Sequence, residues 1–291
     1  MPAAFALALL SLDGVGRVTA HRILERFPTL DALRATPREQ VLLRLKGAPH
    51  AERTVDALLT PGALAPALDR ARARIEALQA KRVHVLAPGD AAWPAGLADL
   101  PRDARPAVLY AFGDLATLEA RRLSFLTHAP VDGPVFETTQ ALARDAFARG
   151  VGPVLGARHG VDLALQKLAL AAEVAVVAVL GSGLARLDRS MRPGATALTR
   201  AGGLLLSPFP MGHGPFDHDD RERALVQAAL GSAVCAASPP PGSSEARAAA
   251  WAASAGRPLA VVPPVDDAPW AADALRVDGS GSFGAVAGLV A

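Results

Sequence analysis

"VGPVLGARHGVDLALQKLALAAEVAVVAVLGSG", Val151–Gly183, decides the fold of this chain. A short Val/Leu-rich run ends in a glycine-containing turn. A helical stretch over 160–172 follows, and then a second run of Val and Ala over 174–181. A strand, a turn, a helix and a second strand in direct succession form one parallel crossover unit. Strands that read as continuous apolar runs, rather than alternating ones, are buried on both faces, as in a parallel sheet covered by helices.

The same alternation extends outward in both directions. Strands are expected at VHVLA (83–87), AVLYAF (107–112), LSFLT (123–127), GLLLS (203–207), AVCAA (233–237) and PLAVVP (258–263). Helices are expected at 138–149, 192–201, 221–230 and 244–255. The fold class is therefore α/β, with a Rossmann-like, doubly wound, mostly parallel sheet. Toward the N-terminus the pattern turns all-helical, with helices expected at 3–12, 17–27, 38–45 and 52–59. Val18, Ile23, Leu24 and Phe27 form the apolar stripe of the second. "TPRE", Thr36–Glu39, reads as a capping box in which Thr36 caps and Glu39 reaches back. Three segments are thus expected: a helical, SAM-like domain at 1–62, a Rossmann-like domain at 63–270 that opens with helix 65–80, and a poorly defined Gly/Ser/Ala-rich tail at 271–291.

Composition narrows the class. The chain has 291 residues, 51% of them hydrophobic but only 4% aromatic, so its core is built from Ala, Leu and Val. The single cysteine, Cys235, cannot form an internal disulfide. It lies in an apolar run and reads as a buried, inert thiol. The longest apolar stretch is interrupted by Glu173, so no membrane span is expected, and no targeting segment is evident. These features point to a cytoplasmic protein. The net charge of +2 hides an asymmetry: residues 1–82 carry 13 Lys and Arg against 8 Asp and Glu, while residues 83–291 carry 17 against 20. The cations are mostly arginine, which suits bidentate phosphate contacts.

Motif by motif, the sequence disfavours several chemistries. There is no G-x-G-x-x-G fingerprint, no Walker sequence and no G-x-S-x-G elbow. His213, Asp217, His218, Asp219 and Asp220 lie close together, yet no second cluster accompanies them, and a solvated acidic loop is the simpler reading. No catalytic residue, metal site or cofactor is assigned. Two places remain as anion-binding candidates. One is "LDGVGRVTAHRILERF", Leu12–Phe27, where Gly14, Val15 and Gly16 bare backbone N–H groups at a helix start and Arg17 adds charge. It resembles the helix-hairpin-helix unit of DNA-binding proteins, although such a turn can also serve only to pack two helices. The other is the carboxyl edge of the sheet, where doubly wound folds bind ligands. Arg158, His159, Lys167, Arg186, Arg189, Arg221 and Arg223 could form a basic rim there, opposed by Asp217, Asp219, Asp220 and Glu222 in "FDHDDRE".

The order of these pieces resembles the DNA-processing protein A (DprA/Smf) family over about residues 5–265. Trp93-Pro94, Leu97, Pro106 and Leu109-Tyr110 follow the family's succession, and Gly156, Gly160, Val161 and Asp162 keep part of its glycine turn. Other positions depart from it. "LSFLTHAPVDGP" lacks the Val-Gly-Ser-Arg turn, Gln166 stands where a histidine is expected, and the late Ser-Gly-Ser turn is Ser243–Glu245. A divergent member with an eroded anion floor is implied. The resemblance further implies a homodimeric, non-enzymatic protein that binds single-stranded DNA and helps load RecA in natural transformation and competence. Two alternatives stand beside it. One is a nucleotide- or phosphoribosyl-handling Rossmann enzyme using Asp162 or Asp188. The other is an interaction scaffold without a ligand.

Overall fold

The computed structural model describes residues 2–47, 51–60, 62–128, 130, 133–265, 268–277, 284, 286 and 288. Two compact units emerge: residues 1–93 with 101–111, and residues 94–100 with 112–291.

The first unit contains helices α1 (Pro2–Leu10), α2 (Arg17–Arg26), α3 (Leu30–Arg34), α4 (Arg38–Arg44), α5 (Ala51–Leu59) and α6 (Ala65–Gln79). Strand β1 (Val83–Leu86) and most of β2 (Leu109–Gly113) complete it. Helix α1 is buried at every residue from Ala3 to Leu9, with α2 and α6 packed against it. Because α6 packs on α1, the division of the chain falls well after the expected boundary at residue 62.

Three local expectations are corrected. Val18 is 47% exposed, whereas Ala20, Ile23, Leu24 and Phe27 are buried; the i, i+3, i+4, i+7 stripe starts at Ala20 and leaves Val18 outside it. The capping box does not form. The Thr36 hydroxyl donates back to the Ala32 carbonyl at 2.8 Å, and α4 has Pro37 at its N-cap position with no side-chain cap. That carbonyl belongs to the unforeseen α3, whose true cap is Thr29, accepting from Ala32 N at 3.1 Å. Thr36 thus closes one helix instead of opening the next.

The second unit runs β3 (Arg122–Thr127), α7 (Gly133–Ala148), β4 (Gly152–Gly156), α8 (Val161–Ala171), β5 (Val177–Val179), α9 (Arg192–Arg200), β6 (Leu204–Ser207), α10 (Asp219–Leu230), β7 (Ala233–Ala237), α11 (Ser244–Ser254), β8 (Leu259–Val262) and β9 (Leu275–Arg276). Its strands lie in the order β6-β5-β4-β3-β7-β8-β9, and every pairing among them is parallel. β3, the first strand, is central, with later strands added on both sides: Phe125 sits opposite Cys235 of β7, and Ser124 opposite Val154 of β4. This is a doubly wound sheet. β3, β4, β6, β7 and β8 are buried throughout, which accounts for their unbroken apolar runs. Cys235 is fully buried, and burial pushes its thiol up to about 12, so it is inert at neutral pH. β9 shows that residues 275–276 of the expected tail are part of the sheet; most of the rest of that tail lies outside the described residues.

Candidate functional site at the strand ends

The strand order reverses between β3 and β7, where the sheet was first laid down and then extended the other way. In such sheets the connections after the two central strands leave in opposite directions and open a crevice at the carboxyl edge. Here that place is filled by charged side chains of the protein itself. Arg158, just after β4, reaches three carboxylates. Its Nε donates to Asp162 Oδ2 at 3.3 Å, its Nη1 lies 2.8 Å from Glu245 Oε1, and the same Nη1 is 3.8 Å from Asp220 Oδ2. Its Nη2 donates to the Thr127 carbonyl at the end of β3.

Arg223, on α10, is only 1% exposed. Its Nε donates to Asp220 Oδ1 at 2.8 Å, its Nη1 to Gln227 Oε1 at 2.6 Å, and its Nη2 to Glu245 Oε1. Gln227 then donates to the Phe125 carbonyl at 2.6 Å, tying α10 to β3. Glu245 lies in the first turn of α11, whose N-cap is Ser243, so a carboxylate is also favoured there by the helix dipole. Its second oxygen is 3.0 Å from His128 Nδ1. Asp162 accepts from Thr127 Oγ1 at 2.7 Å. Gly156, at the end of β4, leaves room for all of this: a Cβ there would stand 2.7 Å from both Arg223 Nη1 and Asp162 Oδ2.

Burial and charge divide the three acids. Burial pushes the Asp162 carboxyl up to about 6, against the pull of Arg158 and Arg223. For Glu245 and Asp220 burial acts the same way, but the two arginines outweigh it and hold both carboxyls below their ordinary values. Arg158, which burial alone would lower, is raised by its three acidic neighbours. At neutral pH two guanidiniums therefore face three carboxylates.

The expected basic rim is thus split. Arg223 is buried and Arg158 is partly buried, with its side chain 25% exposed, and both are held in internal ion pairs. The cause is tertiary: α10 packs against α11 and brings Glu245 onto Arg223 across 22 residues of sequence. The other cations face solvent. His159 is exposed, with Nε2 2.9 Å from Ser190 Oγ. Arg186 and Arg189 are exposed on two short 3-10 turns after β5, and Arg186 donates to the Gly212 carbonyl at 3.2 Å. Lys167 and Arg221 are exposed on α8 and α10. Above the network lies a cleft of about 430 Å³, lined by Arg158, Arg186, Asp188, Phe216, Asp217, Asp220 and Arg223 among others. Lys167, His159, Arg189 and Arg221 are not among its lining residues.

The acidic loop is solvated only in part: Asp217 and His218 are exposed, but Asp219 is folded inward. Asp219 is 3% exposed and accepts from His213 Nε2 at 2.9 Å and from Phe216 N at 3.0 Å. This folding brings Phe209, His213, Phe216 and His218 into one aromatic file. Phe209 stacks on His213 at 4.8 Å, His213 meets Phe216 edge-on at 5.2 Å, and Phe216 stacks on His218 at 5.6 Å. Phe216 remains 54% exposed at the cleft mouth. Sequence reasoning missed this platform. The one signal for it was an aromatic residue among polar neighbours in a loop. No group of three or more His, Cys, Asp or Glu able to hold a metal ion occurs among the described residues.

In the first unit, Gly14 adopts φ +78°, which glycine takes without strain, and Gly16 caps α2 in an extended conformation. Only part of the expected amide cradle is open. Val15 N donates to the Leu12 carbonyl at 3.1 Å, and its side chain is buried. Arg17 donates to the Asp103 carbonyl at 2.6 Å. Both contacts serve the unit's own packing.

Known proteins share this architecture. The family model for DNA recombination-mediator protein A matches residues 84–276. The curated DNA processing protein DprA of Mycobacterium tuberculosis is 30% identical over 210 residues, which cover 67% of this chain and 53% of that protein. The chain thus spans about half the length of the curated relatives it matches. Among solved structures, DNA processing protein A from Streptococcus pneumoniae superposes with a TM-score of 0.61 at 15% identity, over 93% of this chain and 98% of that one. DNA processing protein A from Helicobacter pylori, solved for its single-stranded DNA binding mode, gives 0.54 at 20% identity, over 72% and 90%. At these identities the superpositions show the fold. No helix among the described residues is long and apolar enough to cross a membrane.

Proposed function

The chain belongs to the DNA recombination-mediator protein A family, and from that premise we propose that it binds single-stranded DNA along the carboxyl edge of its parallel sheet. It acts there without catalysis, as a homodimer in the cytoplasm, and helps to load RecA on incoming DNA during natural transformation. The observation that carries the binding step is the exposed Phe216 at the mouth of a cleft that Arg186 also lines. Single strands are held by pairing aromatic faces, on which bases stack, with cations that follow the phosphates. Arg189, His159, Lys167 and Arg221 extend the exposed charge around this edge. The Gly14–Gly16 turn with Arg17 offers a second phosphate contact through the amides of Gly14 and Gly16.

The enzymatic alternative needs an acid that a substrate can reach. Asp162 is 3% exposed and shared between Thr127 and Arg158, and the Asp188 carboxylate accepts from Ser190 N at 2.7 Å. Asp162 is out of a substrate's reach, and Asp188, which lines the cleft, is held below its ordinary value by the Ser190 hydrogen bonds and is the weaker base for it.

The test is fluorescence polarisation with a labelled oligonucleotide of about 20–30 nucleotides at low and moderate salt. The logarithm of the affinity is expected to fall with the logarithm of salt, with a slope of about −0.7 per phosphate contact. Absence of binding at low salt, or binding indifferent to salt, removes the proposal.

A further inference from the structure

We propose that the cleft at the strand ends admits a nucleobase and excludes a phosphate, and that it favours bases carrying an exocyclic amine, such as cytosine, over thymine, which carries none. The inference rests on the reading of the protein as a single-stranded DNA binder and specifies what that site selects.

The first observation is that the anion position is already taken. A phosphate entering beneath the cleft would need free guanidinium N–H groups, which offer paired donors to such an oxyanion. Every guanidinium nitrogen of Arg158 and Arg223 already faces a carboxylate, an amide oxygen or a carbonyl of the protein itself. The Glu245 carboxylate, 1% exposed, takes Arg223 Nη2 and Arg158 Nη1 on one oxygen and His128 Nδ1 on the other. It lies where a ligand anion would lie, and covalent attachment to α11 gives it an advantage over any free one. Arg158 and Arg223 direct their remaining groups to Asp162, Asp220, Gln227 and the Thr127 carbonyl.

The second observation is the sign of what remains. The cleft lining carries Arg158, Arg186 and Arg223 against Asp188, Asp217 and Asp220, with Asp162 and Glu245 directly below. A phosphodiester anion meets net repulsion there. A neutral aromatic ring does not. Phe216 supplies a face for it, and a cleft of about 430 Å³ leaves room for one base. Asp220 Oδ1 is bound to Arg223, but Oδ2 is 3.8 Å from Arg158 Nη1 and the side chain is 45% exposed. Asp217 is exposed on the same wall.

Carboxylates accept and cannot donate at neutral pH. Cytosine presents its N4 amine as a donor to such an acceptor, whereas thymine presents the O4 acceptor and a methyl group at the same place. The phosphodiester chain then runs outside, along Arg186 and Arg189, while the base turns inward.

The experiment compares labelled dC and dT homopolymers of about 20 nucleotides, by polarisation at one salt concentration. Wild-type protein is expected to bind dC tighter by about fivefold, the discrimination one hydrogen bond provides. Asp217→Asn and Asp220→Asn are each expected to move that ratio toward one without weakening dT, because an amide can donate to O4. A substitution that merely damaged the fold would weaken both polymers together. In a parallel arm, inorganic phosphate is expected to leave the melting temperature where chloride at equal ionic strength leaves it. Equal affinity for dC and dT, or a phosphate-specific stabilisation, overturns the inference and leaves the single-stranded DNA reading in place. Failure to bind either polymer overturns that reading and this one with it.

Discussion

Arg221 and Arg223 stand two residues apart on α10 and experience opposite surroundings. Arg221 projects into solvent. Arg223 is 1% exposed, with every guanidinium nitrogen hydrogen-bonded to Asp220, Gln227 or Glu245. The difference arises from helix geometry, since neighbours at i and i+2 point away from one another. It shows that the arginines of the strand-end region form two sets with separate tasks. The buried set, Arg158 and Arg223, organises the switch point of the sheet. The exposed set, with Arg186, Arg189 and Arg221, faces solvent.

The sharpest way to break this division is to cut the buried set. Arg223→Ala leaves Glu245 buried with half its guanidinium partners and removes the link to Gln227. Removing one member of a buried ion pair costs about 3–5 kcal/mol, and equilibrium urea unfolding should show a loss of that size. A cost below about 1 kcal/mol would place Arg223 among ordinary surface arginines.

A subtler consequence concerns pH. Asp162 has its carboxyl raised from 3.8 to about 6 by burial, so the folded state holds that proton more tightly than the unfolded chain does. Its stabilisation is complete below the unfolded value and is lost as pH rises through about 6. Asp220 and Glu245, whose values are lowered, act in the opposite sense and only in more acidic solution, below their ordinary 3.8 and 4.5. Thermal melts of the wild type against Asp162→Asn should therefore diverge in slope between about pH 4 and 6, with the variant losing the decline that Asp162 contributes. Parallel curves over that window would show that the carboxyl is not titrating in the fold.

The smallest effect on stability is expected from the exposed set. Arg186→Ala, Arg189→Ala and Arg221→Ala together should change unfolding free energy by little, about 0.5 kcal/mol per site at most. The same triple variant should flatten the salt dependence of single-stranded DNA binding, by about 0.7 in slope for each phosphate left without its arginine. An unfolding cost close to that of Arg223→Ala would erase the distinction between the two sets.

Much of the architecture was legible from local pattern. The runs at 151–156, 203–207, 233–237 and 258–263 became β4, β6, β7 and β8, because a strand buried on both faces has to be apolar at successive positions. Elements were missed or shifted where a short-range hydrogen bond had two possible recipients. Thr36 could cap forward or close α3 behind it, and nothing in "TPRE" distinguishes the two. Val18 is apolar and close to the stripe, yet one step in phase carries it to solvent.

The candidate site was legible in its ingredients but not in its assembly. Composition and motif order gave the arginines, the acids and the family, since these depend on residue identity and chain order. Whether a given arginine meets water or a carboxylate depends on contacts between distant segments: Thr127 with Asp162, His128 with Glu245, Arg223 with Glu245. A linear sequence fixes periodicity and propensity because those act over a few residues. Burial, and with it the pairing of charge, is set only when α8, α10 and α11 close over the ends of β3 and β4, and that is where the tertiary structure alone separated the arginines that hold the fold from those that face the solvent.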